Sequence, residues 1–351
     1  MKIPPHIPLE YINAVKNGED PRQLKVKFNI SSRTEREWRR IIKIALEDGE
    51  ETPEPIIEKV TIPELPPTAS MEELWMLMEE MQRCQQAMLG TMCKKYVKIT
   101  TDKPIGVVFL SDMHIGSSGT DHVQLRKHID MIAETPGLYV FLGGDAIDNF
   151  ILNSLIHASR TDIVRPMVQY RLLEYILHKI KDKVIAVGDG NHTSWTKQLA
   201  DVDMLGEITK GWPVVYTGNG GIVELIVGEI PYRIYRQHKG RFNSAFNLTH
   251  TVKRAWEFSP DDFDIGIGEH MHQPSVEPFI RHGQRKVAIC TGTYKVYDEW
   301  ALANGMYGAD IGTPLVILYP NEKRIIVPEF MDDLGRAIRY LKLERDEYTN
   351  Q

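Results

Sequence analysis

Cysteine is scarce in this chain: Cys84, Cys93 and Cys290 are the three among 351 residues, and none belongs to a C-x-x-C pair. An odd, scattered set excludes a disulfide framework and a paired-cysteine zinc finger, so the three read as reduced thiols. Long apolar runs are also missing. No stretch approaches the roughly 20 residues of a membrane span, and the opening Met1-Lys2-Ile3-Pro4-Pro5 is too rich in proline to begin a secretory apolar region. A protein of the cytoplasm with no membrane partner is expected. The net charge of -6, with 26% charged and 42% apolar residues, is ordinary for a globular chain and by itself points to no partner. No G-K-[ST] loop occurs, which excludes ATP hydrolysis through a P-loop. Internal repeats and low-complexity tracts are absent too. At roughly 150 residues per domain, about two structural units are expected.

What is present is unevenly spread. Residues 1–49 read as a small basic helical module. Between Arg22 and Lys43 lie Arg22, Lys25, Lys27, Arg33, Arg36, Arg39, Arg40 and Lys43, against Glu35 and Glu37 alone. Ser32 followed by Glu35 predicts a capping box, and Trp38, Ile41, Ile42 and Ala45 fall at helical spacing. The opposite face carries Arg33, Arg36, Arg40 and Lys43. With Leu24, Val26 and Phe28 in a preceding helix, the module resembles a helix-turn-helix that presents those four residues to a DNA groove, although its turn lacks a glycine. The alternative is a solvated basic helix with no partner. Residues 50–70 contain Pro53, Pro55, Pro63, Pro66 and Pro67 and read as a semi-rigid linker. Residues 71–96 read as a long amphipathic helix. Its seam of Met71, Leu74, Met78, Met81, Met88 and Met92, interrupted at Gln85, either packs against the main domain or pairs two copies into a homodimer through residues 71–93.

From Val97 to about residue 330 short apolar strands alternate with helices, as in a buried α/β sheet, and 331–351 read as a C-terminal helical tail. Pro320-Asn321-Glu322-Lys323 predicts the turn of a closing hairpin. The apolar runs stop at groups suited to bind metal, where open α/β sheets place their sites. Phe109-Leu110-Ser111-Asp112-Met113-His114 gives D-x-H, Phe141-Leu142-Gly143-Gly144-Asp145 gives G-D, and Val187-Gly188-Asp189-Gly190-Asn191-His192 gives G-N-H. Gln237-His238 and Glu269-His270-Met271-His272 follow. A lone histidine at a strand end is ordinarily a satisfied polar residue. Acids and histidines gathered at several buried strand ends are costly unless paired or bound to metal.

In the order and spacing of these five motifs the chain resembles the calcineurin-like metallophosphoesterases, over roughly Val97 to Pro328. The resemblance implies an α/β βαββ-sandwich core and two metals, one on Asp112, His114, Asp145 and His272, the other on Asp145, Asn191, His238 and His270. It implies phosphoester hydrolysis by a hydroxide shared between two ions about 3.5–4 Å apart. His192 would be no ligand; it would hydrogen-bond the phosphoryl group or protonate the leaving oxygen. Mixed imidazole and carboxylate donors suit Mn²⁺ first, then Fe or Zn²⁺, ahead of Mg²⁺. Asp148 is expected either to orient a ligand histidine or to cap a helix. Three departures stand out. Asn149 follows Asp148 where the protein phosphatases of the superfamily have arginine, Thr193 follows His192 where they have glutamate, and Glu269 precedes His270 where the family usually has glycine. The first two speak against a protein phosphatase.

The basic module favours nucleic acid as substrate, making the chain a nuclease or phosphodiesterase, with Lys239, Arg241, Arg281, Arg285 and Lys295 available to phosphates. A small-molecule phosphatase or phosphodiesterase, acting for example on a nucleotide, is the second expectation. A DNA-binding or scaffold protein with an inactive domain is the third, against which the complete ligand set argues.

Overall fold

The computed structural model describes residues 3–4, 6–47, 70–92, 95–151, 162–241, 244, 246–297, 302–303, 305 and 309–349. It divides into two compact units, Met1–Leu74 and Trp75–Gln351. The expected linker, apart from Ser70, and Cys93 lie outside the described residues.

In the first unit α1 (Leu9–Lys16), α2 (Pro21–Lys27) and α3 (Ser32–Glu47) enclose Tyr11, Ile12, Val15, Leu24 and Ile42. Helix α2 opens on Pro21, whose fixed φ suits a first turn, beneath Asp20, which accepts from the Arg22 amide at 2.7 Å. The turn after it needs no glycine, because Asn29 takes the left-handed conformation at φ 48°. The expected capping box at Ser32 is corrected. Ser31 is the cap, accepting from the Thr34 amide at 3.1 Å. Glu35 turns inward instead, where it accepts from the Tyr11 hydroxyl at 3.2 Å and pairs with Arg39 at 2.8 Å. Arg33, Arg36, Arg40 and Lys43 are exposed on the outer face of α3.

Helix α4 (Met71–Met92) begins at a capping box the sequence reading did not name: the Ser70 hydroxyl accepts from the Glu73 amide and Glu73 from the Ser70 amide. Leu74, Trp75, Met76, Leu77, Met78 and Met81 are exposed. Packing of this seam on the main domain is therefore not what its described side chains do. The helix is also shorter than the 71–96 expected, because Lys95 already opens β1 (Lys95–Ile99), which pairs with Val223–Val227.

The rest builds a four-layer α/β/β/α sandwich. In chain order come β2 (Ile105–Leu110), α5 (His122–Glu134), β3 (Leu138–Leu142), α6 (Pro166–Lys179), β4 (Val184–Val187), α7 (Asn191–Ala200), α8 (Met204–Ile208), β5 (Val215–Tyr216), β6 (Gly220–Val227) and β7 (Ile230–Gln237). Then follow α9 (His250–Phe258), β8 (Ile265–Gly268), β9 (Ser275–Arg281), β10 (Gln284–Cys290), β11 (Leu315–Leu318), β12 (Ile325–Ile326) and a last helix, α10 (Leu334–Thr349). One sheet has the order β12-β11-β2-β3-β4-β5, the other β1-β6-β7-β8-β10-β9. Strands β2 to β5 run parallel, as do β7 and β8. The hairpin predicted around Pro320 is the antiparallel pair β11–β12.

Strand alternation divides the apolar residues between two cores. Val107 and Phe109 meet Ile234, Ile265 and Val287 between the sheets, while Val108 and Leu110 face α5, α6 and α10. Burial on both faces explains why these strands read as unbroken apolar runs. Helix α9 covers the outer face of the other sheet through Val252 and Trp256. Helix α10 is not a tail beside the domain: its Leu334, Ala337, Ile338 and Leu341 are buried in the first core. Among the described residues no helix is long and apolar enough to cross a membrane.

Candidate metal centre

Every motif residue lies just past the carboxyl end of a strand. Asp112 and His114 follow β2, Asp145 follows β3, and Asn191 and His192 follow β4, three parallel neighbours in one sheet. His238 follows β7 and His270 and His272 follow β8, parallel neighbours in the other. The face-to-face sandwich brings the two sets of strand ends together. The approach is close enough that a Cβ on Gly144 would overlap the His238 ring, which accounts for the second glycine of Gly143-Gly144-Asp145.

Among the described residues four groups have donor atoms within 4.8 Å of one another; two of them, the triads Asp112, His114 and His272, and Asp145, His238 and His270, consist of proposed ligands alone, and the others are His114, Asp145 and His192, and Asp112, His238 and Glu269. In the first, the Nε2 atoms of His114 and His272 face each other at 3.2 Å, and His272 Nε2 lies 3.3 Å from Asp112 Oδ1. His114 Nδ1 meets Asp148 Oδ1 at 2.8 Å, so its proton belongs on Nδ1 and its lone pair on Nε2. In the second, His238 Nε2 is 3.0 Å from both Asp145 Oδ2 and Asn191 Oδ1, and His270 Nδ1 is 3.9 Å from Asp145 Oδ2. The buried atoms Asp112 Oδ1 and His270 Nδ1 have no hydrogen-bond partner. Convergent imidazole lone pairs and orphaned buried acceptors are what divalent cations would satisfy, so the residues fit the expected metals. Asp145 has a donor atom within 4.8 Å of His114 in the first set as well as of His238 and His270 in the second, and so is placed to be shared.

The electrostatics run the same way. Burial pushes the Asp112 carboxyl up, but the close approach of His272, 3.3 Å from its Oδ1, and the His238 charge bring it down to about 2. Burial raises Asp145 too, and His238 and His192 outweigh it, leaving the group well below the usual carboxylate range. Burial lowers His114 to about 4 against the pull of Asp148, which keeps it neutral as a ligand must be.

His192 is buried between Trp195, Phe150 and His114, with ring centroids at 4.2, 4.9 and 4.7 Å. Its Nδ1 donates to the Asp148 carbonyl and its Nε2 stands 3.9 Å from Asp145 Oδ2. Asp148 therefore orients His114 with its carboxylate and His192 with its carbonyl; among the described residues no helix follows it, residues 149–151 being irregular with Asn149 left-handed at φ 45°. Three expected phosphate contacts are placed otherwise. Lys295 is buried against Asp148 at 3.0 Å, and Arg281 ends the outer strand β9, the end away from the site, paired with Glu257. Arg241 is exposed four residues past β7 and in the wall of a surface cleft with Arg254, outside both triads.

The sequence reading missed Arg236 altogether. Strand alternation offered the signal: Tyr232, Ile234 and Arg236 all face inward on β7.

No family model and no curated protein matches the chain. Among solved structures, a phosphatase of Mycoplasma pneumoniae is 14% identical over 69% of this chain and 100% of its own, with a TM-score of 0.38. A 5'-nucleotidase of Candida albicans is 13% identical over 71% of this chain and 58% of its own, at 0.37. A calcineurin-like phosphoesterase of Bacillus subtilis is 12% identical over 72% of this chain and 100% of its own, at 0.31. Likenesses this distant add no weight to the geometry of the site. In sandwich architecture and in the order of its strand-end motifs, the chain resembles the calcineurin-like metallophosphoesterases.

Proposed function

We propose that the chain is a two-metal phosphoester hydrolase and that its substrate is nucleic acid. The observation that carries the first part is the pair of triads, one of which contains Asp145, with Asp112 Oδ1 in one and His270 Nδ1 in the other buried and without a hydrogen-bond partner. Held there, two divalent ions, Mn²⁺ first among them, would supply Lewis acidity to a phosphoryl group and acidify water toward neutrality. Asp112, His114, Asp145, Asn191, His238, His270 and His272 are the ligands. His192, its Nδ1 committed to the Asp148 carbonyl, turns Nε2 toward the site and gives or takes a proton there, a role worth about 10²–10⁴ in rate.

The nucleic-acid part rests on α3. Arg33, Arg36, Arg40 and Lys43 follow one another at three- and four-residue steps along one exposed face, behind a short helix and a turn at Asn29. A different observation favours the second reading, a nucleotide-sized substrate: a cavity of 520 Å³ beside Asn191 and His238 is lined by Asn219, Gln237 and Lys239. One experiment separates them. Mn²⁺-dependent cleavage of labelled single- and double-stranded DNA is measured for the intact protein, for His192→Ala and for a variant with the four α3 residues changed to glutamate. Cleavage lost in the first variant and weakened in the second supports the nuclease. Intact DNA beside hydrolysed nucleotides moves the substrate to small molecules.

A further inference from the structure

Glu269 occupies a position from which one side chain reaches three of the strand-end loops, and a fully buried arginine holds it there. Arg236 Nε meets Glu269 Oε1 at 2.8 Å and Nη2 meets Oε2 at 2.7 Å, a bidentate fork. The remaining three guanidinium hydrogens go to the Asp189 carbonyl at 2.6 Å, the Gly218 carbonyl at 2.5 Å and the Thr217 hydroxyl at 3.4 Å. The fork lies so close over Gly188 that a Cβ there would overlap it. Glu269 Oε2 also accepts from the Gly144 amide at 2.8 Å, next to Asp145, and from His238 Nδ1 at 3.1 Å. Its own neighbour in the chain is His270.

Resting on the reading of the site as a metal centre, we propose that Glu269, clamped by Arg236, is a positioning residue for that centre. It fixes His238 as the Nδ1–H form with Nε2 facing the ion, and locks the loops of Asp145, His238 and His270 into one frame. Although Glu269 lies within ligand range of Asp112 and His238, it is not itself a ligand. Oε2 already takes three hydrogen bonds and Oε1 faces the guanidinium, so the carboxylate has no direction left for a cation. A carboxylate on the far nitrogen of a ligand histidine sets its tautomer and ring orientation, and loss of such a partner costs about 10–100-fold in metal affinity. His114 has the same arrangement through Asp148. The two metal sets would thus each contain one histidine held by an acid.

The test uses the full chain loaded with Zn²⁺, which is diamagnetic. Removing Glu269 alone would strand a buried guanidinium, so the variants are Glu269→Asp, which keeps the charge and shortens the reach, and the double change Arg236→Met with Glu269→Gln, which removes both charges. Zn²⁺ stoichiometry and affinity are read by chelator competition, fold by circular dichroism, and ring nitrogens by ¹⁵N NMR. The wild type is expected to bind two ions with His238 protonated at Nδ1 and metal-bound at Nε2. The variants keep one ion at wild-type affinity and bind the other about 10–100-fold more weakly. A wild type that binds no ion removes the metal centre itself. A wild type that binds both with His238 coordinated through Nδ1, or folded variants indistinguishable from it, overturns the role of Glu269 alone.

Discussion

Five of the proposed ligands carry backbone strain. Asp112, His114, Asp145, His270 and His272 have φ of 50°, 45°, 51°, 73° and 59°, in the left-handed region that side chains with a Cβ avoid. Each costs about 1–3 kcal/mol, which surrounding contacts must over-determine. Those contacts are visible: the Asp112 amide donates to the Gly144 carbonyl and the His114 amide to the Asp145 carbonyl, so the loops after β2 and β3 brace each other. One titration follows at this scale. Burial pushes His238 down, but the Asp145 charge, hydrogen bonds with Asp145 and Glu269, and Asp112 together carry it from 6.5 up to about 10. Its folded pKa is raised, so in protein without metal its charge contributes stability fully present below pH 6.5 and lost as pH rises through about 10. A cation takes the same Nε2, so metal binding at pH 7.5 expels a proton. Calorimetry in buffers of different ionisation enthalpy should find about one proton released with that ion; none released would contradict the assignment. The motif residues were legible in the sequence because each closes an apolar run. Arg236 and Lys295 were not, because charge ordinarily signals surface, and only the pleat of β7 and the pairing with Asp148 turn them inward.

At the scale of elements, β2, β3, β4, β8 and β11 are readable because burial on both faces removes polar interruptions. Strand β9 has no such run: Ser275–Arg281 is an outer strand with exposed Pro278 and Ile280, recognisable only once β10 pairs with it. Helix α10 was misjudged for the opposite reason, since an amphipathic segment after the last strand has the pattern of a tail as well as of a cover. Its apolar stripe closes the core over β2 and β11, so Leu341→Ala should lower unfolding stability by roughly 2–5 kcal/mol in denaturant titration. A cost near zero would mean that α10 lies on the domain without sealing it. The Ser32 capping box failed because Glu35 has a stronger partner in Tyr11 than in a helix end.

For the whole molecule, the sandwich is what turns five separate motifs into one site. Three strand ends of one sheet and two of the other meet only because the sheets pack face to face, a relation no local spacing displays. The exposed arginine face of α3 belongs to a different compact unit, so the proposed nucleic-acid affinity should be separable from the hydrolytic chemistry by mutation. The two-metal chemistry is tested by hydrolysis of bis-p-nitrophenyl phosphate by the full chain against increasing Mn²⁺, with Asp145→Asn and His192→Ala beside it. Activity is expected to saturate at two ions per chain, to fall by about 10²–10⁴ in His192→Ala with metal still bound, and to disappear with the loss of bound metal in Asp145→Asn. Hydrolysis that ignores Mn²⁺, or that survives in Asp145→Asn, would contradict that chemistry.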